Sequence, residues 1–202
     1  MQDGGTVDQE SYDLLEKSHA DAVEAHHRFG SVIYDDEEWD LTHLRPYAFR
    51  QTIKVQGKDF EVYVLVFFSC HCFTRSQGAG EYVERQYLYY DEREKRVLCP
   101  DRYELSKQLL PKMVHELRTR EIKTTGHPTG NYMTIELTDR MGISQPYVVF
   151  FEVEKDKKRK KRVILRVQSA HIRAEFTKRM KEGRKVNFPI LIGAAYQGKK
   201  IV

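Results

Sequence analysis

The sequence predicts an α+β domain, mainly an antiparallel sheet of hairpins, with one long helix (about 101–118) packed on it and a further N-terminal helix. Three observations carry this. From Ala48 onward, β-branched and aromatic residues fall in short runs separated by charged or glycine-bearing turns. One set, Leu105, Leu109, Met113 and Leu117, instead recurs at helical spacing. The apolar fraction of 40% beside 32% charged residues is globular, and 202 residues suffice for one sizeable core.

In chain order, residues 1–7 read as a disordered tip. Asp8 can cap a helix from about Gln9 to Arg28, ended by Gly30, with a weak apolar stripe of Tyr12, Leu15, Ala22 and Val23. The acidic stretch from Tyr34 to Asp40 reads as a linker. This divides the chain into an acidic arm and linker over 1–38 and a single α+β domain over 39–202. Ala48–Val55 and Phe60–Ser69 flank a Gln56–Gly57 turn and predict a hairpin, the second strand being apolar enough to lie inside the sheet. Tyr87–Tyr90 and Arg96–Cys99 predict a shorter hairpin. Asp101 with Glu104 has capping-box spacing at the start of the long helix, and Pro111 is expected to kink or divide it. Tyr132–Leu137, Tyr147–Val153 and Val163–Gln168 read as strands and Ala174–Lys181 as a short helix. Val186–Ala194 and Lys199–Val202 read as closing strands.

Charge is divided along the chain. Residues 1–40 hold twelve acids against Lys17 and Arg28, a net −10, whereas 155–202 carry a net +13; the whole chain is only +4. The densest feature is KDKKRKKR, in which Lys155, Lys157, Lys158, Arg159, Lys160, Lys161 and Arg162 surround Asp156. Lying between two strands, it predicts a basic hairpin tip that would follow a phosphate backbone. Nucleic acid is the expected partner, RNA favoured over DNA, with an acidic protein such as an antitoxin as the alternative. The acidic arm itself is a competitor for the same surface.

For chemistry, His71 and His171 both end apolar strands in Ser-x-His segments, FFSCHCFTR and VQSAHIR. Metal-independent RNA cleavage requires a base, an acid and cations on the phosphate. His71 and His171 are therefore the proton-transfer candidates, with Arg75 and Arg173 on phosphate. On a strand, Ser69, His71, Phe73 and Arg75 would share one face. Cys70, Cys72 and Cys99 are too few and wrongly spaced for a metal site, and read as small hydrophobes in a reducing cytosol. Neither a metal nor a cofactor is expected. P-loop, G-x-G-x-x-G and H-E-x-x-H patterns do not occur. No apolar run approaches a membrane span and the N-terminus lacks a signal pattern, so a cytoplasmic protein is the expectation.

The segments DLTHLRP (40–46), FSCHCFTR (68–75), DRYELSKQLLP (101–111), GNYMTIEL (130–137) and VQSAHIR (167–173) resemble a family of bacterial proteins carried on plasmids and genomic islands. Some members are labelled for stationary-phase or stress adaptation. The resemblance implies a bacterial setting and a link with mobile DNA, and carries over no site residues. The architecture is also similar to RelE-like toxin ribonucleases. The function expected is thus a nucleic-acid-directed protein of a mobile element, with a toxin-type endoribonuclease as its enzymatic form. A non-catalytic adaptor in stress response or defence is the alternative.

Overall fold

A computed structural model of the chain describes residues 29–91, 94–126, 131–140 and 143–201. The N-terminal helix expected over 9–28 lies outside the described residues.

The first described element is a small hairpin, β1 (Ile33–Tyr34) with β2 (Glu37–Glu38). This stretch was expected to be a linker because it is acidic. Its acids Asp35 and Asp36 instead occupy the turn, at φ 49° and 63°, while its aromatics pack. Trp39 stacks face to face on Tyr103 at 4.3 Å and on Tyr34 at 5.2 Å, and Tyr34 meets Tyr87 at 5.0 Å. These contacts fasten the hairpin to the body.

The expected hairpin follows as β3 (Tyr47–Val55) and β4 (Lys58–Phe68), joined by Gln56 and Gly57 at φ 51° and 81°. Two positive φ angles make the two-residue turn whose twist matches the strands. A three-stranded sheet then forms from β5 (Thr74–Arg75), β6 (Leu88–Tyr90) and β7 (Lys95–Leu98), in the order β5-β7-β6. Helix α1 spans Pro100–His115 with Cys99 as N-cap, so Asp101 lies inside the first turn and not at the capping position expected for it. Pro100 occupies the first turn, where its missing N–H costs nothing. The helix continues through Pro111 and buries Leu105, Leu110, Met113 and Val114.

The main sheet is completed by β8 (Ile122–Thr124), β9 (Asn131–Arg140), β10 (Ile143–Lys155), β11 (Arg162–Ile172) and β12 (Lys185–Val186). Its order is β12-β8-β9-β10-β11-β4-β3. The fold is α+β, but the sheet is mixed where an antiparallel one was expected. β11 runs parallel to β4, from Arg162 beside Tyr63 to Val167 beside Phe68. A parallel pair needs a long crossover, here the whole stretch between Phe68 and Arg162, and hairpin signals between sequence neighbours do not reveal it.

A one-turn helix α2 (Lys178–Lys181) precedes α3 (Phe188–Tyr196), where a closing strand was expected. Phe188, Leu191, Ile192 and Ala195 lie at helical spacing and are buried on one face, and Pro189 suits a helix's first turn. Gly198, at φ 73°, ends the helix, its N–H bonding the Ala195 carbonyl. Among the described residues 199–201 the expected final strand is absent; the Ile201 backbone is held at both N–H and C=O by the Tyr132 hydroxyl.

Both α1 and α3 cover the same face of the sheet and share one core with Val64, Val66, Val149, Phe151 and Leu165. Smaller clusters, Ala48 with Leu65 and Phe67, and Met133 with Val148 and Met180, lie on the other face. Among the described residues no helix is long and apolar enough to cross a membrane.

Leu165 is fully buried on the parallel seam, whereas Leu137 on β9 is 70% exposed. Leu165→Ala is expected to cost about 2–5 kcal/mol and Leu137→Ala at most about 0.5 kcal/mol. Urea unfolding midpoints at unchanged slope measure the contrast, and equal shifts would contradict this placement of the seam.

Candidate functional site

The seam sets two regions at opposite ends of β11. At one end is the β10–β11 tip with the KDKKRKKR run; at the other, nine residues along at about 3.3 Å each, or about 30 Å, is His171.

The tip is a hairpin, as its flanking strands predicted. Asp156 and Arg162 form a buried ion pair through the guanidinium Nε and Nη2, each side chain 4% exposed. The other Asp156 oxygen accepts from the Lys158 N–H at 2.8 Å, and the Lys161 carbonyl accepts from the Tyr63 N–H at 2.9 Å. Arg162, assigned from sequence to the nucleic-acid surface, is therefore a structural residue inside the turn. Its charge is taken up by Asp156. The six other cations, Lys155, Lys157, Lys158, Arg159, Lys160 and Lys161, are exposed. Two of them lie over aromatic rings: Lys155 Nζ is 5.5 Å from the Tyr196 centroid and Lys161 Nζ 5.4 Å from that of Phe60.

At the other end, His71 lies in a 3-10 turn over Cys70–Cys72, where a strand was expected. The Ser69 side chain accepts from the His71 N–H at 3.2 Å and so competes with continuation of β4. The Ser69 N–H still bonds the Val167 carbonyl. The two Ser-x-His segments are thus neighbours across the seam.

His71 Nε2 lies 2.5 Å from Glu94 Oε1, and Arg96 Nη1 lies 3.1 Å from Glu94 Oε2. With the carboxylate ionised, Nε2–H donates and Nδ1 is left as the basic nitrogen. Burial, followed by Arg96, pulls the His71 pKa below its usual value against the effect of Glu94. This shift favours the neutral imidazole and makes its free nitrogen a weaker base than that of an exposed histidine.

His171 owes its orientation to a β-bulge. Phe150 pairs with Ser169 and Phe151 with Val167, leaving Gln168 as the extra residue. Before the bulge Val163, Leu165 and Val167 point into the helix-covered core; after it Ala170 does, and His171 is turned to the other face. There His171 stacks on Phe150 at 5.8 Å, beside Arg173 at 5.9 Å from the same ring. Its Nδ1 is buried without a hydrogen-bond partner among the described residues. Burial, then the charges of Arg102 and Arg173, push its pKa down to about 4, with His71 contributing.

Arg102, on the first turn of α1, was missed. Its Nη1 donates to the carbonyls of His71 and Thr74, at 3.1 and 2.7 Å, and its charge acts on both histidines. A cation at a helix N-terminus opposes the helix dipole, and that was the available signal. His71, His171, Arg173 and Arg102 therefore lie in one neighbourhood. Arg75 does not join them: its guanidinium forms a two-pronged pair with Glu81 at 2.8 and 2.5 Å, which holds the Glu81 carboxyl down at about 2.

The cleft beside His71, about 870 Å³, is lined by Ser69, His71, Asp91, Glu94, Glu152 and Arg166 among others. Its charged lining is more acidic than basic. His171 is not in that lining, although Ser169 is. Cys70 donates to Asp91 at 3.3 Å, and burial pushes both the Cys70 and Cys72 thiols up to about 12, so neither is a thiolate at neutral pH.

Because folding lowers the His171 pKa from 6.5 to about 4, the unfolded chain binds this proton first on acidification. The contribution is complete above pH 6.5 and is lost as pH falls toward 4. Urea unfolding at pH 7, 5.5 and 4.5 should therefore show a shallower acid decline for His171→Gln than for the wild-type chain. Parallel declines would place the dependence elsewhere.

No curated protein and no solved structure matches the chain. The family model of the YjaZ family matches residues 31–196, a span that holds both ends of the sheet and all five segments quoted above. The chain belongs to the YjaZ family.

Proposed function

We propose that the chain binds nucleic acid, gripping a phosphate backbone with the β10–β11 tip, in the setting of a bacterial mobile element and with RNA favoured over DNA. The observation that carries this reading is the tip itself: six exposed cations on a turn whose shape is fixed internally by Asp156 and Arg162. A solubilising run needs no such frame. A rigid frame presents the charges together, so that phosphates displace condensed counterions without first ordering a loop. Replacing Lys157, Lys158, Arg159 and Lys160 together by Gln leaves the internal pair intact. It should reduce the slope of log K against log salt by about 3–4, at roughly 0.7–0.9 for each phosphate no longer neutralised. Fluorescence anisotropy with labelled oligonucleotides reads the slope, and an unchanged slope would overturn the assignment.

A second reading, RNA cleavage of the toxin type, is favoured by Arg102 acting on both His71 and His171. His71 Nδ1 would take the 2′-hydroxyl proton, with Arg173 beside the phosphate and Arg102 holding the His71 turn through its bonds to the His71 and Thr74 carbonyls. His171 is neutral at pH 7 and so is a poor acid for the leaving oxygen. The tip lies about 30 Å away, so one strand joining both would need about nine stacked nucleotides at ~3.4 Å each. The purified chain should then cut RNA of that length or more in EDTA, with His71→Ala abolishing cutting while circular dichroism is unchanged. Full cutting by both His71→Ala and His171→Ala would remove the catalytic assignment and leave the non-catalytic adaptor.

A further inference from the structure

Beneath the basic tip lies a feature that phosphate binding alone leaves unused. Phe60, at the start of β4, and Tyr196, at the end of α3, meet with ring centroids 5.3 Å apart and planes 38° apart. Both rings are half-buried. Lys161 lies over the first ring and Lys155 over the second, and these two lysines bracket the four exposed cations at 157–160. The helix that presents Tyr196 is followed at once by exposed Lys199 and Lys200. Aromatic rings embedded in a cationic surface are the chemistry of single-strand binding, in which bases stack and phosphates pair. Duplex DNA presents only phosphates and groove edges, and hides its base faces.

We infer that the basic end takes single-stranded nucleic acid, with Phe60 and Tyr196 as base-stacking surfaces that Lys161 and Lys155 cover in the free protein. This rests on the nucleic-acid reading above. A flexible, well-hydrated ammonium over a half-buried ring is readily displaced, and a nucleic-acid base stacked on the same ring covers more of its face. Each displaced lysine keeps its charge and its flexible stem, and so gains a phosphate as it gives up the ring. The two lysines thus act as placeholders.

The test measures anisotropy of the full chain with a labelled 16-nucleotide pyrimidine strand, as RNA and as DNA, and with a duplex of the same length at equal salt. The single strands should bind at least tenfold more tightly than the duplex. Phe60→Leu with Tyr196→Leu should weaken single-strand binding about 25-fold or more, at about fivefold or more for each lost stack, with duplex affinity and salt slope unchanged. Should the double variant fail to fold, Tyr196→Trp decides instead: its added indole fluorescence, over the Trp39 background, should be quenched saturably by the single strand and not by the duplex. Equal binding of strand and duplex, or no quenching at position 196, overturns the inference while leaving phosphate binding standing. No binding to any of the three probes overturns the nucleic-acid reading itself.

Discussion

The parallel pairing of β4 with β11 is the constraint on which the rest of the molecule depends. It joins two antiparallel systems, β3–β4 and β8 through β11, into one sheet, and its inward residues Val64, Val66, Leu165 and Val167 form the floor on which α1 and α3 pack. Parallel strands share a direction, so their starts coincide and their ends coincide. The Gln56–Gly57 turn and the basic tip therefore lie at one end, and the two Ser-x-His segments at the other. An antiparallel junction would have placed each tip beside a histidine segment.

Electrostatics follows the same division. At the tip end, one buried pair satisfies the inward charge and leaves six cations at the surface. A buried pair of this kind is weak as a source of net stability, because desolvation offsets most of its attraction. Its effect is geometric: it holds the ends of the turn together so that the exposed charges point outward. At the histidine end, cations are partly buried and spent on the protein's own groups. Arg102 serves two carbonyls, Arg96 serves Glu94, and Arg75 serves Glu81. Burial lowers the pKa of both imidazoles there, in His71 against the pull of Glu94 and in His171 together with the charges of Arg102 and Arg173.

Small backbone irregularities decided what the histidines do. The Ser69 cap lifts His71 out of β4 and delivers it to Glu94. The extra residue at Gln168 reverses which side of β11 faces the core and turns His171 away from it. A strict two-residue period predicts neither event. A bulge leaves no fixed signature, and the serine's competition with the strand depends on the partner available beyond it. The same holds for α3: Ile190, Leu191 and Ile192 are good strand residues taken singly, and only the apolar face completed by packing on β3 selects the helix.

By itself the sequence determined the local elements: the β3–β4 and β10–β11 hairpins, the position of α1, the interior place of β4, and the basic run at a tip. Each is encoded within a few residues, by turn chemistry, apolar period or charge density. Tertiary structure decided the mixed sheet, the role of Arg162 as an internal partner of Asp156, the diversion of Arg75 to Glu81, and the arrival of Arg102 beside both histidines. It also decided that the basic tip and the histidines stand about 30 Å apart. The mixed sheet, the place of Arg102 and that separation depend on contacts between segments tens of residues apart, chosen by collective burial of one core, which no local pattern records. The Arg162–Asp156 and Arg75–Glu81 pairs join residues only six apart, but the turn geometry that brings each pair together is fixed by the surrounding fold.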